Sequence, residues 1–178
     1  MSKNFMTYFP LILFSLFGLM WIIVTYKIGD WRNWRKYYHT ILFFWCGDLI
    51  YNVLFYKNPL WVYTNPAFNH QFTDLLCAFV IFTCTILNYI PRFPKTLKKQ
   101  VLYVGFWVFL YSFIEWIFVM VGGIDHRNGW HIGWSVLHNV YQFVLLRIHQ
   151  DRPILAWILA FIILFIVAEI FNVSLLKV

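Results

Sequence analysis

The sequence predicts an all-α fold, a polytopic membrane bundle of six transmembrane helices with no soluble domain. Three observations carry that expectation. Of 178 residues, 62% are hydrophobic and only 12% are charged. A soluble domain carries roughly 25% charged residues, so this chain lacks the charge to cover a water-facing surface. The apolar residues gather into six long runs, and the basic residues gather into short clusters between them. The composition excludes disorder, which needs low hydrophobicity and high net charge, and it argues against a soluble enzyme or a coiled coil. A net charge of +7 would point a soluble chain towards nucleic acid. Here it points to membrane topology, and no nucleic-acid partner is expected.

A helix needs about 20 mostly apolar residues to cross a hydrocarbon core about 30 Å thick. The first run, residues 5–26, follows Lys3 like a signal peptide. It exceeds the apolar core of about 7–15 residues that such peptides use, and no small-x-small cleavage site follows, so it is expected to be retained. The second run is 40–56. The third, 73–90, stops at Pro91 with Pro94 behind it, because proline lacks the amide donor and clashes with the preceding turn. The fourth, 101–121, ends at Gly122-Gly123. The fifth, 133–148, is the most polar and closes at Arg147. The sixth, 154–173, starts after Pro153. The runs are continuous rather than alternating, which excludes barrel strands.

Short connections make neighbouring helices antiparallel. Connection 27–39 carries Lys27, Arg32, Arg35 and Lys36. Connection 91–100 carries Arg92, Lys95, Lys98 and Lys99, and the turn at Asp151 carries Arg147 and Arg152. These are ten of the fourteen basic residues. The opposite side, termini included, holds only Lys3, Lys57, Arg127 and Lys177. The excess of Lys and Arg marks the cytoplasmic face, so both termini are expected outside. If the fifth run lies in the interface instead of spanning, the C-terminus moves inside. Trp31, Trp34 and Trp157 then form an inner aromatic belt and Trp61, Trp130 and Trp134 an outer one, with an aromatic ligand cage as the alternative. Cys46, Cys77 and Cys84 lie inside apolar runs without CxxC spacing, giving neither a disulfide framework nor a zinc site.

Ionisable side chains are costly in lipid and normally face a bundle interior or water. Asp48 sits mid-run, with Asn52 one turn later on the same face. Asp74 opens the third run, one turn after His70. Ser112 and Glu115 share a face of the fourth. Ser135, His138 and Gln142 form a stripe on the fifth, with Asn139 beside it. Glu169 and Asn172 close the sixth; Asp74 and Glu169 are near enough to the interface to reach water. On the expected topology, Asp48, Asn52, Glu115, His138, Asn139 and Gln142 can converge on one outward-facing polar pocket. His70, His126 and His131, with Trp61, Asn69, Asp125 and Asn128, can cap it. The alternative is that Asn52, Ser112, Asn139 and Gln142 only hold helices together through hydrogen bonds.

No cofactor motif is present: P-loop, GxGxxG and CxxCH are absent, no lysine lies within a span, and no HExxH marks a metal site. Three functions stay open: a sensor, binding or assembly component with an outward-facing pocket, a proton-coupled carrier of a small solute, or a membrane-embedded lipid hydrolase using Ser112 or Ser135 with His138. The lipid bilayer is the expected partner, with a second copy of the chain or another membrane protein as the further candidates.

Four short motifs add a resemblance. These are Tyr37-Tyr38-x-Thr40, Tyr111-Ser112-x-x-Glu115, Gly129-Trp130, and His149 shortly before Pro153. With them, nearly the whole chain resembles a family of small uncharacterised multipass membrane proteins of Bacillus- and Clostridium-type spore-forming bacteria. The resemblance implies a bacterial cytoplasmic membrane and implies no activity.

Overall fold

The computed structural model describes residues 3–173, with side chains from residue 8 onward. Lys177 and the side chain of Lys3, which helped to assign the outer side, lie outside the described residues. Each of the six apolar runs is helical. The helices are α1 (Lys3–Ile28), α2 (Tyr38–Leu54), α3 (His70–Arg92), α4 (Leu97–Met120), α5 (Ile132–Asp151) and α6 (Pro153–Ile170). Four of them, α1, α3, α4 and α6, are long and apolar enough to cross a membrane. The other two differ for separate reasons. With 17 residues, α2 is only ~26 Å long. In α5 the length suffices, but His138, Asn139, Gln142 and Arg147 dilute its apolar surface.

The helix ends follow local chemistry. Asn69 starts α3 by accepting a hydrogen bond from the Phe72 amide at 2.8 Å, as an N-cap should. His131 does the same for α5 through Gly133. At the end of α4, Gly122 adopts φ +74°. The Gly122 amide bonds to the Val119 carbonyl and the Gly123 amide to that of Phe118, closing a Schellman motif. Asn172, at φ 53°, ends α6 in the same way, with the Val173 amide on the Ala168 carbonyl.

The centre of the bundle is α3, which is mostly buried, whereas α1, α4 and α6 are mostly exposed. Its middle, Cys77–Phe82, is π-helical, and the α-helical pieces His70–Leu76 and Thr83–Tyr89 flank it. One extra residue per turn rotates the second piece against the first by ~100°. The first piece accordingly meets α2 through Asn52 and Asp74, while the second meets α1, α4 and α5. Asn88 donates to Thr25 of α1 at 2.9 Å. Tyr89 donates to the Phe143 carbonyl of α5 at 2.9 Å. Thr85 takes the Trp21 indole N–H at 3.2 Å and bonds to the Tyr111 hydroxyl of α4. Around these bonds the Tyr89, Trp107 and Phe143 rings pack edge-on or tilted at 5.1–5.7 Å.

A two-stranded antiparallel ribbon closes one end of the bundle. β1 (Trp61–Tyr63) pairs with β2 (Ile124–His126) in the register Trp61↔His126, Val62↔Asp125 and Tyr63↔Ile124. Side chains alternate faces along a strand, so Trp61, Tyr63, Ile124 and His126 point one way and Val62 and Asp125 the other. Asn128 and Gly129 both have positive φ, and the Trp130 amide bonds back to the Arg127 carbonyl. That turn needs left-handed residues, and it lowers Trp130 into the bundle, where it is 7% exposed. The opposite end joins the basic connections. His39 and Gln150 meet across it, the Gln150 amide donates to the Lys36 carbonyl, and Arg147 lies over the Phe93 ring.

Candidate functional site

Beneath the ribbon lies a cavity of about 270 Å³ to which all six helices contribute. The cavity face of α2 is the stripe Phe43, Phe44, Gly47, Asp48 and Tyr51, at the spacing of one helix face. Glu115 enters from α4, and Ser135, His138, Asn139 and Gln142 enter from α5. Asp48, Glu115, His138, Asn139 and Gln142 therefore share one cavity. Asn52, Asp74 and Ser112 stand behind this layer, each bonded to other polar groups.

The first group joins α2 to α3. Asp48 and Asp74 are neighbours across this joint, and the Asn52 amide donates to Asp74 Oδ2 at 2.5 Å. Asp48 Oδ2 is left buried without a hydrogen-bond partner among the described residues. Asp74 does not reach water as expected from its place near the start of the run: it is 3% exposed, because α3 begins at His70 and carries it inward. Glu169 is exposed on α6.

The second group joins α4, α5 and the ribbon. Glu115 Oε1 accepts the Ser135 hydroxyl at 2.5 Å and meets His126 Nε2 at 2.8 Å. The Trp130 indole N–H donates to Ser135 at 2.9 Å. Of the expected capping histidines, His126 reaches the site. His70 instead pins β1 by accepting the Tyr63 amide at 3.2 Å, and His131 stays exposed as the α5 cap. Burial pushes the Tyr63 phenol well above its usual range, so that side chain stays neutral.

The third group belongs to α5. His138 bonds Gln142 Oε1 at 2.8 Å and the Tyr141 hydroxyl at 2.5 Å. With an amide oxygen at Nε2, that nitrogen donates and Nδ1 accepts from tyrosine. Asn139 donates to Ser112 at 3.1 Å and ties α5 to α4. Neither Ser112 nor Ser135 is bonded to a histidine, so no Ser–His pair stands ready for nucleophilic attack. Among the described residues no three His, Cys, Asp or Glu side chains stand close enough to share a metal ion.

Aromatic rings complete the wall. Trp61 stacks on Tyr51 at 4.1 Å and 3° and meets Trp130 at 5.2 Å. Tyr51 also accepts the Leu60 amide at 2.9 Å, which fixes the loop entering the ribbon. Among the described residues, neither lysine nor arginine lines the cavity. Tyr51 was missed from sequence although it lies one turn past Asp48 on the same stripe; Tyr141 likewise follows His138. No protein-family model, curated protein or solved structure matches this chain.

Proposed function

We propose that the chain is a six-span integral membrane protein that binds a small, largely apolar ligand in the cavity under its ribbon, as the receptor part of a sensor or assembly. One observation carries this reading: six polar side chains from three helices meet in a cavity walled mainly by aromatic and aliphatic groups. Ligand sites have that makeup, mostly apolar with a few convergent polar groups. The membrane reading is supported by the outer surface, where Leu16, Phe109 and Ile154 are 60%, 66% and 77% exposed. Soluble monomers rarely leave large contiguous apolar patches uncovered. In this reading α2 and α5 also span, shielded by α3, α4 and α6. The basic end faces the cytoplasm, and the ribbon and both termini face outside. The membrane is taken as a bacterial cytoplasmic one on the motif resemblance alone.

The test is saturable binding of a neutral probe to protein in nanodiscs. Hexanol should change the tryptophan emission to a plateau, and Trp61→Phe with Trp130→Phe should remove most of that change. Ala160→Phe, which places a ring at the cavity wall, should abolish the plateau. A linear, non-saturating response in the native protein contradicts the reading. A proton-coupled carrier is the second reading, favoured by the neighbouring buried carboxyls of Asp48 and Asp74. It requires solute uptake driven by a pH gradient and lost in Asp74→Asn; uptake that is unchanged in that variant rules it out.

A further inference from the structure

At the middle of α2 the cavity wall carries an exposed glycine, Gly47. α2 and α6 meet at two levels. At the inner one the Phe43 and Trp157 rings lie edge-on at 4.7 Å. At the outer one Phe55 and Ala168 belong to one packed cluster with Leu54, Leu164 and Val167. Between these levels each helix presents a small residue to the cavity, Gly47 and Ala160. Gly47 is exposed, and a Cβ built on it would meet nothing within 4 Å. An exposed glycine in a cavity wall, halfway along a spanning helix, opens the cavity sideways at the depth of the acyl chains.

Beside that opening the residues select for charge. Asp48 adjoins Gly47, lines the cavity, and keeps Oδ2 buried and unpartnered. Among the described residues no lysine or arginine lines the cavity to pair with that oxygen. The neighbouring Phe44 and Tyr51 rings are stacked on Phe82 at 4.0 Å and on Trp61 at 4.1 Å, so the free oxygen of Asp48 supplies the selection. A charged donor bonds a carboxyl oxygen more strongly than a neutral alcohol does, and a carboxylate brings it no donor.

We propose that the cavity takes a lipophilic primary amine, admitted from the bilayer through the window at Gly47, with its ammonium group on Asp48 and its apolar body among the rings. This rests on the cavity being a ligand site. The experiment compares hexylamine, hexanol and hexanoate in nanodiscs by tryptophan emission. Hexylamine should bind at least about ten-fold more tightly than hexanol, and hexanoate more weakly than either. Asp48→Asn should weaken hexylamine until it binds no more tightly than hexanol. Gly47→Leu, whose Cβ enters open space, should slow association of hexylamine and hexanol alike. Equal affinity for amine and alcohol, or an amine preference that survives Asp48→Asn, overturns the amine assignment and leaves the cavity standing as a site. Unchanged association rates in Gly47→Leu overturn the window. If no probe saturates, the ligand-site reading fails with it.

Discussion

Asp74 is held by the Asn52 amide, beside the carboxyl of Asp48. Asp74→Ala removes that bond at a site that is 3% exposed. Leaving buried polar groups unpaired costs about 1–3 kcal/mol, so Asp74→Ala should melt earlier in detergent than Asp74→Asn, which keeps the shape and an acceptor oxygen for Asn52. Equal melting of the two would show that the pair adds nothing to stability. A second contact sits outside the spans. Asp30 accepts from the Tyr37 hydroxyl at 2.7 Å and from Asn33 at 2.8 Å. These bonds hold its carboxylate below the usual range, and burial with the nearby carboxylate pushes the Tyr37 phenol up to about 12. A lowered acid stabilises the fold above its ordinary pKa, and that contribution is lost as pH falls through the lowered value. A raised phenol stabilises below its ordinary pKa, near 10, and loses the contribution as pH climbs towards about 12. The melting difference between native protein and Tyr37→Phe should therefore be flat from about pH 5 to 9 and shrink on both sides. A difference that stays constant across the whole range contradicts the pairing. The sequence made Asp48 and Asn52 legible as one face, but not the Asp48–Asp74 contact, which depends on how far α3 sinks between its neighbours.

The helices were the readable elements, because a long apolar run bounded by Pro91, Gly122 or Pro153 leaves the chain little other choice. The Schellman close of α4 makes that concrete: Gly122→Ala forces a side chain into a left-handed backbone and should cost about 1 kcal/mol, read as a lower melting temperature. An unchanged value would mean that the α4 end relaxes. The ribbon was not readable. Each strand has three residues, too few to show a period of two, and the strands lie some sixty positions apart in the chain. The π-helical segment of α3 leaves no mark on an apolar run either, although it decides which side chains of α3 face α2. Because His126 is the link between β2 and Glu115, His126→Ala should raise amide exchange in residues 61–63 and 124–126 and leave that of 83–89 unchanged. Exchange that stays unchanged in the strands would show that the ribbon is held by its backbone alone.

At the scale of the whole molecule, the scarce charge is sorted by place. The basic connections gather at one end, the ribbon stands at the other, and the carboxyl groups of Asp48, Asp74 and Glu115 lie between them under the ribbon. In the proposed orientation this arrangement gives the cavity an outer cap, with the proposed side window at Gly47 and no lysine or arginine lining it among the described residues. All of it depends on the orientation of the bundle in a bilayer, and one measurement tests that directly. Cys46, Cys77 and Cys84 are first replaced by alanine. Single cysteines at positions 57, 98 and 127 are then exposed to a membrane-impermeant maleimide in intact cells. Positions 57 and 127, beside the ribbon, should label from outside, and position 98, among the basic residues before α4, should label only after the membrane is opened. Labelling of position 98 in intact cells with protection of 57 and 127 would contradict the account, because the ribbon and its cavity would then face the cytoplasm.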